Sequence, residues 1–295
     1  MLEFKPIELS DKDIFRALLA ADKPKASELT FTNLFMWRCR YRPVWSQHNG
    51  CLLIVMRPKE EEPFGLRPVG PGDKKEALKY FTAHLREISL SPRISRACKD
   101  FVEGYVDKDG YEIVEDPDNS DYVYLSENLI KLPGNRYHRK KNHLNKFAKS
   151  CEFEYHRLDQ QMVDACLDLQ EDWCELKDCL ENSELFEEDL AVYEALKNHS
   201  ELGFKGAAIV IDSRVEAFAL GELLNDDTAV IHIEKANPHI PGLYAAINQM
   251  FCEREWTDVK YVNREQDLGV EGLRKAKQSY YPDHMVEKFI LIPKD

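Results

Sequence analysis

The sequence predicts an α/β protein of two domains, each a mixed, mostly antiparallel sheet flanked by helices. Its 295 residues exceed one average domain and suit two. An apolar content of 43% is ordinary for a chain that buries real cores. Helical and strand-like stretches alternate along both halves. We therefore expect an N-terminal domain over residues 1–132, a basic linking helix over 133–151 and a C-terminal domain over 152–295 that carries the active site.

The first half contains one strong hairpin signal. Asn49-Gly50 separates two apolar runs, and both residues tolerate the positive φ that a two-residue hairpin turn requires. Around it, periodicity and caps predict a helix after Ser10, a helix near 33–38, a helix over Lys74–Ile88, and strands at 111–114 and 121–125.

The second half begins with two predicted helices, over 160–176 and 184–198. Three strands follow, at 206–211, 215–224 and 229–234, and their short turn-forming connections predict an antiparallel meander. A helix (242–255), a strand (259–263), a helix (270–279) and a last strand (285–292) complete this half. That element order is typical of an acetyltransferase-type (GNAT) domain, and the first half resembles a degenerate version of it.

Composition indicates an intracellular protein. No apolar run approaches the roughly 18 residues of a membrane span, and the first residues lack a signal-peptide pattern, so we expect a cytoplasmic chain. The eight cysteines form no C-x-x-C pair and no zinc-type cluster, which predicts no metal site. Cys51 and Cys252 lie in apolar runs and are interpreted as small core residues.

The charge distribution singles out one segment. A net charge of −13 excludes a general polyanion binder, so an anionic partner needs a local basic patch. Residues 131–149 hold seven Lys or Arg and no acid. An apolar stripe at helical spacing is expected to dock this helix, namely Leu144, Phe147, Ala148 and Cys151. Donor phosphates would contact Arg136, Arg139, Lys140 and Lys141; the competing interpretation is a solvated basic face.

The strand over 229–234 carries candidate catalytic groups. His232 and Glu234 alternate onto one face, and Glu222 on the adjacent strand is positioned to converge with Glu234. A carboxylate here is a candidate base toward an attacking amine. His232, together with Lys235 and Asn237 toward the next loop, is a candidate substrate contact. The alternative is that both carboxylates are ordinary charges on a wet strand face.

The loop after the strand at 259–263 is the better site candidate. It concentrates polar side chains where the carboxyl end of a strand in α/β sheets usually holds ligands. The candidate substrate-binding residues are Asn263, Arg264, Glu265, Gln266, Asp267, Arg274 and Lys277. Tyr280 is either an acid toward a leaving group or a packing aromatic.

Four segments carry a family resemblance. They are residues 27–38, 134–147, 233–237 and 263–277. Together they resemble soluble proteins related to the catalytic C-terminal domain of phosphatidylglycerol lysyltransferases, over nearly the whole chain. The resemblance implies two tandem GNAT-like domains, as in the Fem peptidoglycan aminoacyltransferases, and an aminoacyl-tRNA donor.

The leading hypothesis is aminoacyl transfer from aminoacyl-tRNA to an amine or hydroxyl of a lipid headgroup or small molecule. Such a reaction requires no cofactor and no metal. Two alternatives stay open. One is an N-acyltransferase that uses acyl-CoA, whose phosphates the same basic groups would hold. The other is a non-catalytic module that senses a nucleotide or anion. The oligomeric state is undetermined by the sequence.

Overall fold

The computed structural model describes residues 3–177 and 179–294, which divide into two units. The first unit contains the chain up to Tyr122, together with Gln266–Lys275 and the segment from His284 onward. The second contains Val123–Glu265 and Ala276–Asp283. The predicted division was continuous along the chain, whereas the observed one is not.

Helices and strands follow in the chain as predicted, with some additions. Up to residue 131 they are β1 (Lys5–Pro6), α1 (Lys12–Asp22), α2 (Phe31–Met36), α3 (Arg38–Tyr41), β2 (Val44–His48), β3 (Cys51–Met56), β4 (Phe64–Leu66), α4 (Lys74–Ile88), β5 (Ile94–Cys98), α5 (Lys99–Tyr105), β6 (Tyr111–Glu115), β7 (Asp121–Leu125) and α6 (Ser126–Lys131). Beyond it they are α7 (His138–Ser150), β8 (Glu154–Arg157), α8 (Gln160–Leu176), α9 (Ser183–Lys197), α10 (His199–Leu202), β9 (Lys205–Ile211), β10 (Arg214–Asn225), β11 (Thr228–Ala236), α11 (Leu243–Glu255), β12 (Tyr261–Asn263), α12 (Glu271–Gln278), β13 (His284–Val286) and β14 (Lys288–Pro293).

The first unit is built on a seven-stranded sheet of order β1-β2-β3-β4-β5-β14-β6. The predicted β2–β3 hairpin is confirmed, with φ of 47° at Asn49 and 77° at Gly50. Helix α4 has the predicted bounds because the Asp73 side chain accepts hydrogen bonds from the first free amides, those of Lys75 and Glu76. Phe81 and Leu85 of this helix lie in the core beneath β3 and β5.

Strand β14 was predicted to complete the second half. It pairs instead with β5 and β6 in the first sheet, so that prediction is wrong. Its first residue explains this position. The Lys288 ammonium is fully buried and lies 2.7 Å from both oxygens of Glu28 and 2.6 Å from Asp121 Oδ1. Burial opposes a charge on Lys288, but Asp121 and Glu28 raise its pKa, so the amine stays protonated. Glu28 and Asp121 of the first unit thus hold β14 in the first sheet through the buried ammonium of Lys288.

The second unit contains the predicted meander. Its strands are ordered β7-β12-β11-β10-β9-β8. Strands β9, β10 and β11 are antiparallel neighbours, and β11 pairs with β12 in parallel. Strand β7, predicted to close the first half, pairs with β12 instead. Each unit is thus built on a mixed sheet flanked by helices, as predicted. The parallel pairing with β12 covers only Thr228–Val230, so β11 continues to Ala236 beyond the last paired residue of β12.

The helices of the second unit agree closely with expectation. Helix α8 has the predicted bounds and 17 residues, and the Asp159 side chain caps it by accepting from Met162 N at 2.9 Å. Within residues 3–177 and 179–294, no helix combines the length and apolarity needed to cross a bilayer.

The cysteines show one unpredicted bond. Cys51 and Cys252 are fully buried core residues, as predicted. Cys174 at the end of α8 forms a disulfide with Cys179, which closes a short loop.

Candidate functional site

The candidate site lies in the second unit, where β12 ends beside the part of β11 that continues past it. Glu234 near the end of β11 accepts hydrogen bonds at both carboxylate oxygens. Asn248 Nδ2 of α11 donates to Oε1 at 2.7 Å. Arg264, the residue after β12, donates to Oε2 through Nε at 3.1 Å and through a second guanidinium nitrogen. The parallel pairing therefore brings together the two polar segments that the sequence singled out.

Arg264 is held without all of its hydrogen bonds satisfied. Its guanidinium carbon lies 5.7 Å from the ring centre of Tyr124 and 4.8 Å from that of Tyr280. Burial opposes its charge, but Glu234 raises the pKa of Arg264, so the group remains a cation. Among the described residues, its buried Nη1 has no hydrogen-bond partner, and neither has the Oδ1 of the fully buried Asn248. Unsatisfied buried groups of this kind are costly in a folded chain and mark a place where a ligand can complete them.

Lys140 of the basic helix α7 contributes a second cation to the same site. Its Nζ lies 3.8 Å from the ring centre of Tyr280. Burial, together with the positive charges of Arg264 and Arg139, lowers the pKa of Lys140 to about 8. An amine with this pKa can both donate and accept a proton near neutral pH.

Tyr280 supports these cations with its ring. It is 7% exposed, and burial raises the pKa of its hydroxyl to about 12. The ring contacts with Lys140 and Arg264 agree with the packing interpretation, and the acid role of the hydroxyl stays a prediction.

The site thus contains the Glu234 carboxylate and two cations, Arg264 and Lys140, both of which contact the Tyr280 ring. It can stabilise a negative charge that develops beside Arg264 Nη1, because a buried, preorganised donor costs no reorganisation during a reaction. It can also relay a proton through Lys140 or Glu234. Each Glu234 oxygen retains acceptor capacity beyond the hydrogen bond described above.

His232 forms a buried cluster with two carboxylates. Its Nδ1 lies 2.7 Å from Glu265 Oε1 and its Nε2 lies 3.1 Å from Glu222 Oε1. Burial alone would lower the pKa of His232, but these two hydrogen bonds and charges raise it to about 9. The residue lies where the β10–β11 register shifts, in a bulge between Ile231 and Ile233. Glu222 lies opposite Val230 and Glu234 lies opposite Ala219, so the structure does not pair the two carboxylates, and His232 joins Glu222 to Glu265 instead. The substrate contact of His232 stays a prediction.

This cluster makes stability depend on pH. The folded pKa of about 9 exceeds the ordinary value of 6.5, so the contribution is complete below about pH 6.5 and is lost as pH rises through about 9. At about 1.36 kcal/mol per pH unit, that interval corresponds to about 3 kcal/mol. We expect the free energy of unfolding of the natural chain to fall by this amount relative to that of His232→Gln, measured by urea unfolding across the interval. Parallel pH profiles for the two proteins would contradict the assignment.

Two other predicted residues position the loop that carries Arg264. Asn263 is fully buried, and its Oδ1 accepts from the backbone N–H of Glu265 at 2.8 Å, which holds Glu265 at a φ of 57°. Lys277 Nζ donates to the backbone carbonyl of Arg264 and, at 3.4 Å, to that of Glu265. The side chains of Asn263 and Lys277 thus fix the backbone of Arg264 and Glu265 by hydrogen bonds, which positions the Arg264 side chain in the site.

Lys235 and Asn237 have partners of their own. Lys235 is buried, with Nζ 3.0 Å from Glu188 and 3.4 Å from the ring centre of Trp173. Asn237 Nδ2 donates to Glu216 at 2.8 Å. These contacts favour structural roles over the predicted substrate contacts.

Gln266, Asp267 and Arg274 belong to the first unit, unlike the rest of the predicted set. Asp267 accepts from Tyr122 Oη at 2.6 Å and from Arg274 Nε at 2.8 Å. Burial would raise the pKa of Asp267, but these hydrogen bonds lower it to about 2. Gln266 Oε1 accepts from Ser27 Oγ at 3.4 Å. The side chains of Gln266, Asp267 and Arg274 thus interact with one another or with other residues of the first unit.

The basic helix presents most of its cations to solvent. Arg136, Arg139 and Lys141 are exposed, and Arg136 lies 5.0 Å from the ring centre of Tyr137. The predicted apolar stripe is only partly correct: Phe147 is fully buried, whereas Ala148 is exposed. Helix α7 is held in the second unit by the buried Phe147 side chain and by its packing against α11.

Sequence reasoning missed Asn248 and Tyr124. A signal for Asn248 was present, since it is the one amide among the buried residues of α11, the others being Leu243, Ala246, Ile247, Phe251 and Cys252. Tyr124 carried no such signal, because it lies in a strand assigned to the other half of the chain.

Comparison with known proteins agrees with the resemblance predicted from the motifs. Residues 20–292 match the family described as phosphatidylglycerol lysyltransferase, C-terminal. A conserved protein of unknown function from Bacteroides thetaiotaomicron is 32% identical, covers 100% of both chains and has a TM-score of 0.93.

More distant relatives extend the comparison. The C-terminal domain of a putative lysylphosphatidylglycerol synthetase from Agrobacterium fabrum is 13% identical over 98% of this chain and 93% of that one, with a TM-score of 0.67, which shows a shared fold. An uncharacterised protein of Mycoplasmoides gallisepticum is 22% identical over 59% of this chain, and the match spans 56% of that relative.

Proposed function

Because the chain belongs to the phosphatidylglycerol lysyltransferase C-terminal family, we propose that it transfers an aminoacyl group from aminoacyl-tRNA to an amine or hydroxyl acceptor. The acceptor class is a lipid headgroup or a small molecule. The observation that carries the proposal is the pairing of Arg264 with Glu234 beside Lys140, in which the buried Arg264 Nη1 has no hydrogen-bond partner within residues 3–177 and 179–294.

The chemistry follows from those three side chains. The acceptor nucleophile attacks the ester carbonyl of the aminoacyl group and forms a new bond to its carbon. Arg264 Nη1 stabilises the oxyanion of the tetrahedral intermediate. Glu234 accepts the proton of the nucleophile. The bond to the ribose oxygen then breaks, Lys140 donates a proton to that leaving oxygen, and a proton passes from Glu234 back to Lys140.

The donor is held by the exposed cations of α7. The chain as a whole is acidic, with a net charge of −13, so a polyanion needs a local cationic surface. Residues 131–149 contain seven Lys or Arg and no acid. Lys131 pairs with Glu127 at 2.6 Å and Lys140 contacts Tyr280, and the other five are exposed and supply this surface. Lys140 belongs to both features, since its helix carries the exposed cations while its amine contacts the Tyr280 ring.

Binding to tRNA tests this arrangement. The variant Arg139→Ala/Lys141→Ala removes two exposed cations and leaves Lys140 in place. We expect weaker binding to bulk aminoacyl-tRNA, with the slope of log affinity against log salt reduced by about 1.4–1.8, because each lost phosphate contact removes about 0.7–0.9. Fluorescence anisotropy at several salt concentrations measures it.

A matched variant controls for net charge. Lys197→Ala/Arg214→Ala removes two cations from α9 and β10 of the same unit, and its salt slope should equal that of the natural chain. Equal slopes for all three proteins would contradict the assignment of α7 to the donor.

A further inference from the structure

The first unit contains a cavity of about 710 Å³ that the proposed reaction does not use. One wall is a face of α4, and the other is formed by residues 105–111 and Pro293. Its volume lies within the range of about 300–1,000 Å³ typical of small-molecule sites.

The cavity is lined by cations that lack carboxylate partners. Lys75, Lys79 and Arg86 lie on the cavity face of α4. In the part of the chain that the structure describes, none of the three forms an ion pair with a carboxylate. Arg86 donates to the backbone carbonyl of Lys294. The single acid of the lining, Asp107, accepts from the backbone N–H of Asp109 at 3.1 Å. In a chain of net charge −13, this local excess of positive charge favours an anionic ligand.

The rest of the lining offers apolar contact. Leu78, Ala83 and Val106 contribute aliphatic groups. The lining residues carry three hydroxyls. Those of Thr82 and Tyr111 are hydrogen-bonded to each other at 2.6 Å, and the third belongs to Tyr105, which is exposed. Because two hydroxyls satisfy one another and the third is open to water, the cavity wall does not require a polar group from a ligand.

The spacing of the lining cations along α4 favours an extended ligand. From residue 75 to residue 86, α4 rises by about 16 Å at about 1.5 Å per residue. Cations along this length beside an apolar wall suit a chain-like molecule better than a compact ring.

We propose that this cavity binds an anionic amphiphile, a single acyl chain that ends in a phosphate or a carboxylate. The acyl chain lies against Leu78, Ala83 and Val106, and the anionic group contacts Lys75, Lys79 or Arg86. The proposal concerns binding only and does not depend on aminoacyl transfer.

Isothermal titration calorimetry of the full chain tests it with decyl phosphate and decanoate, each below its micelle concentration. We expect saturable one-to-one binding of at least one of them. Binding should be about tenfold weaker in Lys75→Glu/Lys79→Glu, because charge-assisted contacts become repulsive. Ala83→Trp, which places a large side chain in the cavity, should abolish binding of the ligand. Arg57→Glu/Lys59→Glu makes the same charge change on exposed residues outside the cavity lining and should bind like the natural chain.

Four results would overturn the proposal. They are the absence of saturable binding, equal binding of decyltrimethylammonium, equal binding of inorganic phosphate, and natural affinity in the Lys75→Glu/Lys79→Glu protein. Circular dichroism of each variant confirms that the fold is retained before the comparison.

Discussion

Replacing Lys288 with methionine is expected to lower the free energy of unfolding by about 3–5 kcal/mol, because removing one partner of a buried ionic cluster leaves uncompensated charge. Lys288 is fully buried and contacts Glu28 and Asp121 at 2.6–2.7 Å. Without Lys288, Glu28 would keep Arg96 at 3.5 Å and Asp121 would keep the hydrogen bonds from Ser27, but both carboxylates would lose the buried ammonium that lies within 2.7 Å of each. Urea unfolding of the variant beside the natural chain measures the difference.

An exposed lysine provides the matched control. Lys99 pairs with Glu287 at 2.8 Å on the surface of the same unit, where an ion pair contributes at most about 1 kcal/mol. Lys99→Met should therefore change stability little. Similar losses for Lys99→Met and Lys288→Met would show that burial of the cluster is not the cause.

Arg264→Lys is expected to reduce aminoacyl transfer about 100- to 1,000-fold, the usual cost of losing one donor to a developing oxyanion. Lysine keeps the positive charge, but it lacks the planar fork that donates to Glu234 through two nitrogens. The loss should appear in kcat at saturating donor, since the interaction forms in the transition state.

Arg254→Lys is the control for this substitution, because Arg254 is an exposed arginine of α11 in the same unit. Its kcat should match that of the natural chain. A change confined to KM in Arg264→Lys would indicate donor binding in place of transition-state stabilisation.

The second half shows how far local sequence patterns reach. The turn residues between β9, β10 and β11 predicted an antiparallel meander, and helical periodicity predicted the bounds of α8, because both features depend on neighbouring residues. The assignment of β14 failed for the opposite reason. Its apolar alternation identifies a strand, but its sheet is determined by Lys288 pairing with Glu28 and Asp121, far away in the sequence.

For the candidate site too, the sequence predicted the local features and not the long-range contacts. The sequence located the two segments that contain Glu234 and Arg264, because polar residues after strands of an α/β sheet are a local signal. It did not distinguish Arg264, whose Nη1 lacks a hydrogen-bond partner in the described part of the chain, from Asp267, whose carboxylate accepts from Tyr122 and Arg274. That distinction depends on which side chains meet in three dimensions.

The most direct test of the account is transfer of a radiolabelled amino acid from bulk aminoacyl-tRNA to a mixture of small-molecule amines, alcohols and phosphatidylglycerol vesicles. We predict that label leaves tRNA and enters an acceptor fraction with the natural chain, and that Arg264→Lys transfers almost none. If all label stays on tRNA at excess protein while a parallel sample consumes acetyl-CoA, the aminoacyl-tRNA donor is wrong.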